Sequence, residues 1–394
     1  MALKVEVYQK EKVRPSSPTP QTLRYHKLSL VDAIVGYFYG PHVLFYPSGA
    51  GPRPHDYDEL KESLSKTLSI LYPLAGRLKD GSIIECNDEG ADFVRANVTN
   101  YDLDAIDPAM PMLGVQVNRF RCGGTAVGFC TWHGVVDGIG MATLYNTMAA
   151  INRGEEGVVG GPVVVDVTAT FSPDIERIRN QYSQSEHHRR PSRVEALSAF
   201  VWAAVIRATL VANPILKTHL LSHYVNLRNK VDPPLPSQCL GNIIQGTESA
   251  WEVASGPVSA RSVVGRVVEA IDKVTKDYVR EMHTEGGFLR SIIARRSKII
   301  DYNKGETKTL NISSLCNISF GEVDFGWGKP KWIGMGHTLY DVALLVDTKD
   351  GGVEAWIGLE HEVMCNLDKD IEFHAYVSFA HIVLKSSCRL SSAL

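Results

Sequence analysis

The sequence predicts an α/β protein of two layered domains, and three observations carry that expectation. At 394 residues the chain exceeds what one hydrophobic core usually supports. Strand-like and helix-like segments are mixed within both halves rather than segregated, the pattern of helices packed on sheets. Between the halves, residues 152–190 lose the apolar period and gain glycine and polar residues, so the domains are set at 1–165 and 191–394 with 166–190 as a crossover linker.

The elements follow in chain order. After a Pro/Ser/Thr-rich lead, "ELKESLSKTLSILYPLAGRL" places Leu60, Leu64, Leu68 and Leu71 on one helical stripe that Tyr72 and Pro73 end. "SIIEC" and "ADFVRANV" read as strands, and "VQVNRFRCGGTAVGFCTW" as two more around a Gly123-Gly124 turn. The second half opens on "SRVEALSAFVWAAVIRATLVANP". There Ser192 with Glu195 forms a capping box, Val194, Leu197, Val201 and Val205 make a buried stripe, and Asn213-Pro214 stops the helix. Strands are expected at "HYVNLR", "VALLVD", "VEAWIGLEH" and "YVSFAHIVL", and a helix near residues 267–299.

Bulk properties exclude several functions. A net charge of -3 and a pI near 6.5 oppose sequence-independent binding of nucleic acid, which needs a concentrated basic surface. The one dense cluster, "EHHRRPSR" around His187–Arg193, reads as a solvated loop. The N-terminus has no apolar signal core, and no window approaches the ~18 uncharged apolar residues of a membrane span, so a cytoplasmic protein without a membrane partner is expected. Seven cysteines, odd in number and without CxxC spacing, signal neither a disulfide framework nor zinc, and no HExxH occurs. GxSxG, GK[ST] and the full dinucleotide fingerprint are also missing.

The spacing HxxxD occurs twice, as "HGVVD" at His133–Asp137 and as "HTLYD" at His337–Asp341. Context separates them. His133 ends the apolar run "AVGFCTW" just before a helical stripe of Met141, Leu144, Tyr145 and Met148, so its side chain can project from a strand end into a crevice. Gly134, Gly138 and Gly140 allow close approach of substrate or backbone. His337 lies in a glycine-flanked loop, with Asp341 capping the start of a strand, and reads as structural. An alcohol hardly ionises at neutral pH, whereas an imidazole titrating near ~6.5 can take its proton as it attacks, a contribution of about 10²–10⁴ in rate. A carboxylate one helical turn away can orient that base or brace the loop carrying it.

A second segment adds to this reading. "FGEVDFGWGKPKW" at 320–332 contains Asp324, Phe325, Gly326, Trp327 and Gly328, and HxxxDG followed by DFGWG resembles the BAHD family of plant CoA-dependent acyltransferases. "YPLAGRL" at 72–78, "CGGTA" at 122–126, "NLRNKVDPPLP" at 226–236 and "LGN" at 240–242 are similar to family segments in the family's order. The lead "PSSPTPQTLRYHKLS" with "LFYP" most resembles the branch holding vinorine synthase and salutaridinol acetyltransferase.

The resemblance implies two chloramphenicol-acetyltransferase-like domains of mixed sheets flanked by helices, joined by a long crossover, with a channel that CoA and the acceptor enter from opposite faces. It makes His133 the general base and turns Asp137 away from substrate to support the loop through an arginine, Arg228 being the candidate. Asp324, Phe325, Gly326, Trp327 and Gly328 become structural. Ser192 and Arg193 fall near CoA. Ser313 and Ser314, with Gly138, fall at the oxyanion and acyl pocket. Leu315 and Leu240 depart from aromatics common at those positions, and the stretch "YDLDAIDPAMPMLGVQV" is shorter than its counterpart.

The expectation is a monomeric acyl-CoA:alcohol O-acyltransferase, with acetyl-CoA as cosubstrate and no bound cofactor or metal. It would acylate a hydroxyl of a specialised plant metabolite such as an alkaloid or terpenoid, through a ternary complex. Malonyl or hydroxycinnamoyl transfer, and a catalytically silent binding protein of the same fold, are the rivals.

Overall fold

The strands and helical runs read from the sequence do not describe the chain fully: the computed structural model, which describes residues 6–28, 32, 39–49, 51–79, 83–97, 111–155, 189–236, 239–282, 306–336, 340–348 and 351–377, adds strands that the sequence pattern hides. The chain divides into two units, and neither is a simple half. The first takes residues 1–166, 226–244 and 317–338; the second takes 167–225, 245–316 and 339–394.

In the first unit a six-stranded sheet runs β1 (Glu6–Val13), β6 (Ala91–Asn97), β7 (Leu113–Arg119), β8 (Thr125–Trp132), β3 (Tyr39–Tyr46) and β12 (Trp332–Met335), with β6 and β7 parallel and the other neighbours antiparallel. A smaller sheet orders β2 (Tyr25–Lys27), β5 (Ile83–Glu85) and β4 (Arg77–Lys79). The β7–β8 hairpin turns where expected, with Gly123 at φ 82 and the Phe120 N–H donating to the Gly124 carbonyl. Helix α1 (Tyr57–Ile70) buries Leu60, Leu64 and Leu68, Leu71 follows at its C-cap, and Asp56 caps its start by accepting from the Asp58 and Glu59 N–H groups. Helix α2 (Gly138–Asn152) follows β8 after a short turn.

In the second unit the sheet order is β10 (Ile244–Glu252), β9 (Thr218–Asn226), β11 (Thr307–Ser314), β13 (Val342–Asp347) and β14 (Val353–Gly358), with β9, β11 and β13 mutually parallel. Helix α3 (Arg193–Ala212) lies in its core, where Ala196, Ala199, Val205 and Ile206 pack with Leu221, Leu310, Ile312, Ala343 and Leu345. Helix α4 (Ala260–Asp272) adds Val263, Val264, Val267 and Val268 to the same cluster. Helices α5 (Lys276–Met282), α6 (His361–Leu367) and α7 (Ile371–His374) are short.

Several expectations need correction. The DFGWG segment and residues 226–244 belong to the first unit and not to a contiguous C-terminal domain, because β12 pairs with β3 and because Phe325 and Trp327 bury against Tyr46. The α3 capping box forms as expected, but Val194 and Leu197 are only half-buried: the helix is buried nearly all round, through Ala196, Ser198, Ala199, Phe200 and Trp202 as well as Val201 and Val205. By length and composition α3 could cross a membrane, contrary to the hydropathy reading, and most of it is buried inside its own unit as a core helix. The strand at "HYVNLR" begins earlier, at Thr218, and ends at Asn226, so Leu227 and Arg228 lie in a turn. The helix expected near 267–299 is two helices, α4 and α5, up to Met282; its remainder, most of the linker and the strand after Val377 lie outside the described residues.

Candidate active site

β8 delivers His133 to the end of the first sheet. The apolar strand stops at Trp132 and turns, the Val135 N–H donating to the Trp132 carbonyl at 3.3 Å. Gly134 lies against the Trp132 indole, where a Cβ would come within 2.4 Å of the ring, so this turn requires glycine. His133 itself is half-buried. Its backbone carbonyl accepts a 2.7 Å hydrogen bond from Asn242 Nδ2. The Asn242 backbone N–H and the same Nδ2 both donate to Asp32 Oδ1, at 2.7 and 2.9 Å, and both residues are buried. Gly241, at φ 113, brings this strand of chain close enough to form a bridge with Val136.

Asp137 has two duties. As N-cap of α2 its Oδ1 accepts from the Gly140 N–H at 3.0 Å. Its two oxygens also receive the Arg228 guanidinium in a fork, Nη1 to Oδ2 at 2.6 Å and Nη2 to Oδ1 at 2.9 Å, and the Ile243 N–H reaches Oδ2 at 3.3 Å. Arg228 further donates to the Cys239 carbonyl at 2.8 Å. Each side chain of the pair is about 2–3% exposed, so the carboxylate is consumed by structure. The sequence candidate for its partner is the residue found. Gly138 opens α2 directly after it and is half-buried.

Burial pushes the His133 imidazole below the ordinary value of 6.5, against the opposing pull of its own backbone carbonyl and of the Asp137 and Asp32 carboxylates. A neutral imidazole at physiological pH is the form that can accept a proton.

The far end of α2 is held by the DFGWG segment. Gly326 and Gly328, at φ 88 and 84, wrap around Asp324, whose Oδ1 accepts both their N–H groups at 2.7 and 2.9 Å. Asn152, the last residue of α2, donates from Nδ2 to the Phe325 carbonyl at 2.8 Å, and Arg153 donates to the Asp324 carbonyl. Phe325 and Trp327 are fully buried against Tyr46, at centroid distances of 5.7 and 5.5 Å, and His55 stacks on Trp327 at 4.6 Å. The segment thus packs on aromatic side chains and the end of a helix.

Four expected residues lie in the second unit. Ser192 is committed to its capping box, its hydroxyl accepting from the Glu195 N–H at 3.2 Å while its own N–H donates to Glu195 Oε2 at 2.6 Å. Arg193 pairs with Asp347 at the end of β13 and donates to the Gly351 carbonyl at 3.4 Å, so it is not left as an unengaged cation. Ser313 and Ser314 end β11 on opposite faces of the pleat, so they do not serve one site together. The Ser314 hydroxyl accepts from the Cys316 N–H at 3.2 Å. His337 lies outside the described residues; Asp341 sits at φ 52 before β13, paired with Lys308 at 2.8 Å. Among the described residues no group of three or more His, Cys, Asp or Glu is placed to hold a metal ion.

Three contributors escaped the sequence reading. Asn242 lies in the quoted "LGN", which marked the segment without its task, and Asp32 carries no local signal. Gly40 is the third: a Cβ there would come within 2.9 Å of Met141 Cε and 3.9 Å of His133 Cδ2.

Comparison with known proteins places the chain in a family. The model of the Transferase family matches residues 3–107, 99–167 and 162–374. Limonoid 21-O-acetyltransferase of Melia azedarach is 31% identical over 427 residues, covering 95% of this chain and 99% of that protein. The crystal structure of vinorine synthase superimposes with a TM-score of 0.77 at 28% identity, covering 95% of this chain and 98% of that one. F. sporotrichioides TRI101, a structure complexed with coenzyme A and T-2, shares the fold with a TM-score of 0.66 at 18% identity, over 89% of this chain and 98% of that one. The chain belongs to the Transferase family, the BAHD acyltransferases.

Proposed function

We propose that the protein transfers an acetyl group from acetyl-CoA to a hydroxyl of a plant specialised metabolite of the limonoid or alkaloid kind. The observation that carries the mechanism is His133: a half-buried imidazole held neutral by its surroundings, at a strand end fixed by Asn242 and by the Asp137–Arg228 pair. Nδ1 is buried, and in this mechanism Nε2 is the nitrogen that receives the acceptor proton. The acceptor oxygen attacks the thioester carbonyl carbon, the carbon–sulfur bond breaks, and the proton passes through His133 to the departing CoA sulfur. Both substrates are bound together. Cys130 lies three residues back, on β8, and its thiol is pushed up to about 11 by burial, so it makes a poor nucleophile.

The acetyl donor and acceptor class are supported by the limonoid acetyltransferase that matches nearly end to end. Ser313 and Ser314 at the end of β11, and separately the Gly138 backbone at the start of α2, are the groups we propose for steadying an oxyanion, and CoA would meet the start of α3 near Ser192 and Arg193. We place the enzyme as a cytoplasmic monomer; the six unpaired cysteines among the described residues fit a reducing compartment.

The test is release of CoA thiol from acetyl-CoA with a panel of limonoid alcohols and hydroxylated alkaloids. His133→Ala should fold normally and lose activity by about 10²-fold or more. Intact mass after incubation with acetyl-CoA alone should stay unchanged. A stable gain of one acetyl group, or full activity in His133→Ala, overturns the reading.

A further inference from the structure

Beside His133, β3 meets α2 at two successive levels. Gly40 and His42 point to the same side of β3, and Met141 and Tyr145 lie one turn apart on α2. At the outer level the empty face of Gly40 is shared by Met141 and the His133 ring. At the inner level Tyr145 Oη and His42 Nδ1 are 3.1 Å apart, in a hydrogen bond within a largely aromatic layer where the Thr131 hydroxyl also meets the phenol. Phe129 stacks on Tyr145 at 4.1 Å and Phe320 on His42 at 5.2 Å, and both polar residues are buried. In the sheet register Gly40 faces Thr131 and His42 faces Phe129, so both levels also touch β8, the strand that leads into His133.

An apolar pair would fill this layer without the cost of burying two polar groups. A hydrogen bond differs from an apolar contact in fixing a distance and a direction. Resting on the reading of His133 as the base, we propose that the His42–Tyr145 hydrogen bond is a positioning element, which sets the β3–α2 separation one layer below Gly40 and Met141 and thereby how closely the His133 ring is enclosed. Loosening it lets water reach the imidazole, and a better hydrated imidazole holds its proton more readily.

The test follows the His133 ring itself by NMR in full-length protein carrying ring-¹³C histidine, with the signal identified by its disappearance in His133→Gln. Tyr145→Phe keeps both ring stacks and removes only the hydroxyl. It should raise the His133 titration midpoint toward the ordinary histidine value by ~0.5 unit or more. With acetyl-CoA and the best acceptor of the limonoid panel, kcat should fall about 10-fold with the acetyl-CoA KM within about twofold. His42→Leu should behave alike, the double variant should be no worse than either, and His42→Gln, which can still bond the phenol, should recover most of the loss. An unchanged midpoint and kcat in folded Tyr145→Phe overturns the proposal; should that variant not fold, His42→Leu decides by the same readouts. Full activity in His133→Ala would instead sink the base assignment while leaving the titration result intact.

Discussion

Asp137 and Arg228 form a buried ion pair, and a pair of that kind is costly to break because the surviving charge is stranded. Asp137→Ala should therefore lower stability by about 3–5 kcal/mol in denaturant melts, with any loss of rate following from the disturbed loop. A variant with unchanged melting and a pure loss of rate would show that the carboxylate acts directly. At this scale the sequence was informative where chemistry was local. His133 could be preferred over His337 because an apolar strand precedes it and a helical stripe follows, whereas Arg228 could be named only through the family resemblance of its "NLR" segment. Asp32 and Asn242 were illegible as site residues, since their tasks arise from contacts across more than a hundred positions of chain, which no spacing rule reaches.

Among the elements, α2 is held at both ends: Asp137 and Arg228 at its start, the DFGWG bend at its finish. Asn146 adds a tie at its middle, donating to the Ser319 carbonyl at 3.2 Å. Gly326 is the sensitive point of the bend, because its φ is 88 and a Cβ would come within 2.9 Å of Arg53 Cδ. Gly326→Ala should destabilise by ~1–2 kcal/mol in a thermal melt, while the KM for acetyl-CoA changes little. A stable variant with altered KM would place the bend in substrate binding. The α1 stripe and the α3 capping box were legible because period and caps are local properties. The α3 stripe was drawn too narrow, since small residues such as Ala196 and Ala199 show no period of their own and are buried by what packs on them.

On the scale of the molecule, the acid response should come from buried histidines. His219 and His223, both buried, have imidazoles pushed down to about 4 by loss of hydration. Their folded values lie below the unfolded one, so the stability they contribute is present above ~6.5 and is lost as pH falls toward ~4, by up to about 3 kcal/mol each. Melting temperature should fall across that window, and a His223→Gln variant should fall less; equal slopes would remove His223 from the account. The two-unit, mixed α/β character was visible in the sequence, but the interleaving was not, because β12 is four residues long and its place is set by β3, nearly three hundred positions earlier. That interleaving bears on how the protein is made. The ribosome releases β3, β8 and His133 well before Arg228, and Arg228 well before Trp327 and β12. At ~5–20 residues per second the first unit waits about 10–40 s for its last pieces, with a sheet edge unpaired and a carboxylate lacking its counter-ion. During that interval nascent chains offer just the surface that chaperones bind, and a transcript ending before Asp324 yields a polypeptide carrying His133 with no bend to hold the helix beside it.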